Sequence, residues 1–127
     1  MSFILVDKND NDNEIQINNW NWKTILMILD SLKLLDTDRI QMLGFNGTSE
    51  IVSKQEAEKI SKKIRDEIIS KLNDDERILL NGKITNIPDD GTFYKNPDEY
   101  YKNFSTNKVI LEKFCTFCES CNGFEIF

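Results

Sequence analysis

The sequence predicts a single α+β domain over residues 1–127, a small antiparallel sheet packed against three main helices, and three observations carry this. Short strand-like runs stand at both ends, residues 3–6 with 15–17 at the front and 124–127 at the back. Between them lie three stretches whose apolar residues recur every three or four positions, from Trp22 to Leu32, from Ala57 to Leu72 and from Ile110 to Cys121. The chain has 127 residues, 39% of them hydrophobic, with eight phenylalanines and two tryptophans, which suffices for one core. A lone hairpin is marginal in water, so the front strands need the closing one, with a further short strand expected over 50–52, and a helical cover.

Residues 3–6 are rich in β-formers and are followed by the polar tract DKNDNDNE over 7–14; Ile15, Gln16 and Ile17 then alternate. This reads as a β-hairpin with a long polar loop. The tract does not read as a calcium loop. Counted from Asp7, the sixth and twelfth positions are Asp12 and Asn18 where Gly and Glu are needed; counted from Asp10 they are Ile15 and Asn21.

Asn19 or Asn21 is expected to cap the first helix, whose buried face is Trp22, Ile25, Leu26, Ile28, Leu29 and Leu32. Trp20 and Trp22 at its start read as packing anchors, with a ligand pocket as the other possibility. Asp36 and Asp38 can cap a short turn over 39–43 that Gly44 ends. Asn46 and Gly47 mark a turn, and the segment lacks the GxxxxGK pattern of a phosphate loop. Ser53 with Glu56 forms a capping box, and Val52 with Ala57 a hydrophobic staple, opening a helix striped by Ala57, Ile60, Ile64, Ile68 and Leu72. Glu58 with Lys62 and Glu67 with Lys71 are spaced to add about 0.2–0.5 kcal/mol each.

Asp74 or Asp75 can cap a turn through 77–80, and an irregular excursion over 81–98 holds turns at Asn81-Gly82 and Asp90-Gly91. Pro97 suits the first turn of a short helix carrying Tyr100, Tyr101 and Phe104, leading directly into the closing helix. That helix, capped by Ser105 or Thr106, places Ile110, Phe114, Phe117, Cys118 and Cys121 on one face. Gly123 provides a left-handed stop before the final strand.

Cys115, Cys118 and Cys121 are spaced CxxCxxC, a pattern that invites a metal or iron–sulfur reading. With no histidine and no fourth cysteine in the chain, a tetrahedral set is short of a ligand. The expectation is three small buried thiols, no metal and no cofactor, and their odd number suits a reducing compartment.

Twenty-two acidic against 16 basic residues give a formal charge of −6, a field that repels phosphate backbones and argues against nucleic acid. Residues 1–50 alone carry −4. The front lacks the basic opening and apolar core of a secretory signal, and no apolar run approaches the roughly 20 residues of a membrane span, so a cytoplasmic protein with no membrane partner is expected. Abundant Asn, Lys and Ile suit an AT-rich bacterial genome.

The missing histidine removes Ser-His and Cys-His triads and the common His-based zinc sites. Asp89-Asp90 is one acidic pair among many, so no catalytic residue is assigned. The expectation is a non-catalytic interaction or inhibitor module whose acidic front, Asp7, Asp10, Asp12 and Glu14, meets a basic protein. The alternatives are a metal or redox protein built on the three cysteines, and an enzyme of another class, which would show convergent carboxylates in a cleft or an aromatic pocket around Trp20, Tyr94 or Tyr100.

The N-terminal hairpin, the W-x-W start at Trp20 and Trp22, FNGTSEIVSKQEAEKI over 45–60 and FCESCNGFEIF over 117–127 together resemble a family of small uncharacterised bacterial cytosolic proteins with a GFEI-type ending. The likeness spans nearly the whole chain and rests on structural motifs. It implies the α+β architecture and a bacterial host, and, by analogy of fold, immunity-protein-like inhibitors.

Overall fold

A computed structural model describes residues 2–47 and 50–127. Its chain runs β1 (Ser2–Asp7), β2 (Asp10–Asn18), α1 (Asn19–Ser31), α2 (Thr37–Leu43), β3 (Ile51–Ser53), α3 (Lys54–Glu67), β4 (Arg77–Leu79), β5 (Ile84–Thr85), β6 (Ser105–Asn107), α4 (Lys108–Ser120) and β7 (Gly123–Ile126). Short 3₁₀ helices cover Ile69–Lys71 and Pro97–Asn103. The expected α+β class holds.

The main sheet has the order β2-β1-β7-β3, antiparallel throughout. Only Lys8 and Asn9 separate β1 from β2, so the expected long polar loop is itself a strand: Asp10, Asn11 and Asp12 extend the hairpin past a register shift at Val6/Asp7. Asp10 pairs with Asp7, and Asn11, Asp12 and Asn13 bulge out between that pair and Glu14 opposite Val6. The closing strand lies between β1 and β3, making it the partner that the hairpin required. The strand expected at 50–52 forms one residue later.

Alternation assigns Phe3, Leu5, Ile17, Val52, Phe124 and Ile126 to the buried face of this sheet. On that face Trp22 of α1 sits 5.8 Å from Phe114 of α4, ring centre to ring centre, and 6.2 Å from Phe3. Phe124 meets both Phe114 and Phe117. The fully buried Trp22 donates its indole N–H to the carbonyl of Leu43 at 2.8 Å, so the largest side chain of the core leaves no polar atom unmet.

The caps explain where the helices begin. Asn18, one residue before the first of the two expected caps, Asn19, and three before the second, accepts from the amide of Asn21 at 2.9 Å. Asp36 precedes α2 without a side-chain cap bond, and Gly44 ends α2 in right-handed geometry. Ser53 and Glu56 make both bonds of the capping box, at 3.1 and 3.0 Å. Val52 and Ala57 beside them are both buried, as the staple requires. The i,i+4 ion pair on the outer side of α3 is Lys63 with Glu67 at 3.8 Å.

Three expectations fail together because the molecule contains a second sheet, β5-β4-β6. The segment 77–80, expected as a capped turn, supplies β4. Ser105 and Thr106, expected as helix caps, are strand residues pairing with Leu79 and Ile78, and Asn107 caps α4 instead by accepting from Ile110 N at 2.9 Å. The helix opened by Pro97 is a 3₁₀ helix that leads into β6, not directly into α4. The buried face of α4 includes Leu111 and Cys115, while Ile110 lies at its margin.

Gly123 has φ +91, and a Cβ there would stand 2.6 Å from the carbonyl oxygen of Val52. Only glycine accommodates both the left-handed turn out of α4 and the close pairing of β7 with β3.

Candidate functional site

The main sheet buries one face and leaves the other open to solvent. Strand register defines the open face. Glu14, Val6, Glu125 and Ile51 lie side by side in one row across all four strands. In the next row Gln16 pairs with Ile4, and Ile4 exchanges two backbone hydrogen bonds with Phe127, at 3.1 and 2.8 Å. Ile4 and Val6 are half-buried, Ile51 is 39% exposed and Phe127 56% exposed. The result is one apolar side chain, Val6, between two carboxylates, Glu14 on the edge strand and Glu125 near the middle, with Ile51 beyond Glu125 and Ile4 and Phe127 in the adjoining row. Basic residues adjoin these rows: Lys8, whose stem lies against Gly123 at the hairpin end, and Arg39, which donates to the carbonyl of Ile51 at 2.8 Å.

The four acidic residues singled out from the sequence do not act together. Glu14 belongs to the open face, and Asp10 and Asp12 are exposed farther along the same edge strand. Asp7 is a correction: it points inward and is 2% exposed, so it cannot meet a partner. Its carboxylate accepts from the amides of Asn9 at 3.0 Å and Asn122 at 3.2 Å and from the Asn13 side chain at 3.1 Å. Burial pushes its pKa up, but the hydrogen bonds from Asn9, Asn13 and Asn122 outweigh burial and hold it below the ordinary value. Asp7 therefore stays ionised and ties the hairpin turn to the chain leaving α4.

Glu125, Ile4, Val6, Ile51 and Phe127 are the residues that sequence reasoning missed. The alternation in FEIF was a signal for Glu125 and Phe127, but their neighbours depend on register.

The cysteines are all buried. Cys115 faces α3, its Sγ 3.8 Å from the carbonyl of Ser61, and Cys121 points back to the carbonyl of Cys118 at 3.5 Å. Burial pushes the Cys115 thiol up to about 11 and those of Cys118 and Cys121 above their ordinary value. Thiols held neutral and enclosed are poor nucleophiles and poor ligands. Among the described residues no group of three or more Cys, Asp or Glu side chains is arranged to hold a metal ion.

Asp89 and Asp90 do not converge on a common point. Asp89 accepts from Gly91 N and Asp90 from Thr92 N, both at 2.9 Å, so each carboxylate closes its own local turn. A concavity of about 640 Å³ runs between α1 and α2 past Leu26, Met27, Ile40 and Phe45. Its charged liners are Lys23 and Asp30, one of each sign. No described helix is long and apolar enough to cross a membrane. Compared with known proteins, the chain matches no family model, no curated protein and no solved structure.

Proposed function

We propose that this chain is a protein-interaction module that takes a basic partner protein on the open face of its main sheet, acting in the manner of an immunity-type inhibitor in a bacterial cytoplasm. The row Glu14–Val6–Glu125–Ile51 carries the reading. Apolar side chains alternating with carboxylates along the row supply burial on contact, and the carboxylates select a cationic surface. A chain charge of −6 reinforces that field at distance and speeds encounter with a positive partner. The acidic edge of β2, with Asp10, Asp12 and Glu14 exposed, repels a second copy of itself, so strand-to-strand self-association is disfavoured on that side.

The test is capture from lysate of the native host at low and at high salt, with Glu14→Lys/Glu125→Lys alongside the unmodified protein. A stoichiometric basic partner is expected, held about tenfold or more weakly by the double variant and released by salt. Circular dichroism and Tm verify that the variant is folded. Recovery of no stoichiometric partner at low salt, or equal recovery by the folded variant, overturns the proposal.

A further inference from the structure

The excursion before the 3₁₀ helix builds a small aromatic recess at the start of α1. Gly91, at φ +82, reverses the chain after the turn closed by Asp89. Phe93 is thereby brought edge-on to Trp20, with ring centres 6.2 Å apart. The side chain of Asn103 locks this arrangement by accepting from Tyr94 N at 2.7 Å and donating to Tyr94 O at 2.8 Å. Trp20 remains 43% exposed and Phe93 51% exposed although both contact other rings, so these aromatics line a surface recess and not a closed core. The cavity between them, about 170 Å³, is also lined by Asp89, Gly91, Thr92 and Asn103.

The lining specifies a ligand class. Its single ionisable group is the carboxylate of Asp89, and its two largest surfaces are aromatic, whose faces attract cations. The same neighbourhood already binds cations of this chain: Lys23 Nζ lies 5.1 Å from the centre of the Phe104 ring and Lys102 Nζ 5.3 Å from that of Tyr94. Phe104 in turn packs against Trp20 at 5.2 Å. The volume is well below the about 300–1,000 Å³ of sites for drug-sized ligands, so it suits a head group of a few heavy atoms. Polar partners inside are largely committed, Asn103 to Tyr94 and one Asp89 oxygen to Gly91. A bare ammonium would lose its water without replacement, whereas a methylated ammonium, weakly hydrated and apolar at its surface, would not.

We infer that the recess between Trp20 and Phe93, with Asp89 at its wall, binds a methylated alkylammonium head group. This does not rest on the sheet-face reading and stands or falls separately.

The experiment is a titration followed by ¹H–¹⁵N NMR, using choline chloride in one arm and a trimethyllysine peptide in the other. Sodium chloride at equal ionic strength and the unmethylated peptide are the controls. Saturable shifts are expected at the Trp20 indole N–H and the Gly91, Thr92 and Phe93 amides, while the buried indole of Trp22 stays still. Asp89→Asn and Phe93→Leu should each weaken binding by about tenfold, and Trp20→Ala by more. If Trp20→Ala fails to fold, the other two variants carry the test. Choline binding alone identifies a free small molecule as the source, and at least tenfold tighter peptide binding identifies a modified protein; either supports the site. No saturable shift at concentrations about tenfold above millimolar in both arms overturns it. So does equal binding of the unmethylated peptide, or binding unchanged in the folded variants.

Discussion

The two sheets are held by different physics. In the main sheet every inward side chain named above except Asp7 is apolar and nearly water-free, α1, α3 and α4 cover it, and Asp7 has hydrogen-bond partners for both oxygens. The small sheet has strands of two or three residues and lies against α1. Among the described residues, the two buried side-chain polar atoms that lack a hydrogen-bond partner, Nη1 of Arg77 and Oγ1 of Thr106, both belong to it. Each orphaned group costs about 1–3 kcal/mol. The excursion it supports is closed by local turns and by rings that stay half in water. Stability is concentrated in one region, and surface not needed for stability is exposed in the other.

The largest effect should come from breaking the first region at its centre. Trp22→Ala removes a fully buried indole that touches Phe3, Phe114 and Leu43 O, and should lower stability by about 3–5 kcal/mol in urea unfolding. A loss below about 1 kcal/mol would mean that the core does not rest on this ring.

A smaller effect, with a pH signature, should come from the clamp that joins α2 to the main sheet. Arg39 binds Glu56, Glu50 at 2.6 Å and the carbonyl of Ile51 at 2.8 Å, while Glu56 also completes the cap of α3. The Arg39 guanidinium, against the cost of burial, holds the Glu56 carboxyl down from an ordinary value near 4.5 to about 2. A depressed carboxyl contributes stability that is complete above its ordinary value and is lost as the pH falls from about 4.5 toward 2. Glu56→Gln should cost about 1.5–3 kcal/mol at neutral pH and flatten the stability profile across that window. Parallel profiles for the two proteins would show that the clamp contributes nothing.

The smallest effect should have the opposite sign. Thr106→Val replaces a buried, unpartnered hydroxyl with a methyl of the same shape in a strand, and should stabilise the protein by up to about 1 kcal/mol in the same measurement. A destabilisation of that size would show that the hydroxyl is satisfied, and would erase the contrast between the two sheets.

This contrast also marks how far the sequence could be read. α3 was legible because its signals are local: Ser53 and Glu56 three apart, then a stripe of period 3.6. The closing strand was legible from its alternation and from the requirement of a hairpin for a third partner. The small sheet was not legible, because strands of two or three residues carry no periodicity and the pairing of β4 with β6 joins segments about 30 residues apart. Thr106 shows the resulting error: a Ser-Thr pair ahead of an amphipathic run looks like a cap until Ile78 is found opposite it. For the candidate surface, composition revealed the acidic front but not its orientation. Asp7 and Glu14 look alike in the sequence, and the two strands of the hairpin turn Asp7, on β1, inward and Glu14, on β2, to solvent.

Because β7 lies between β1 and β3, the first strand to be synthesised must wait for the last before it has neighbours on both sides. The ribosome has to release residue 126 before the sheet can close, so on the growing chain the hairpin is a half-formed edge that depends on α1 for shelter. Closure of the main sheet therefore depends on a contact between segments far apart in the sequence, β1 and β7, and its speed is set by how quickly they meet.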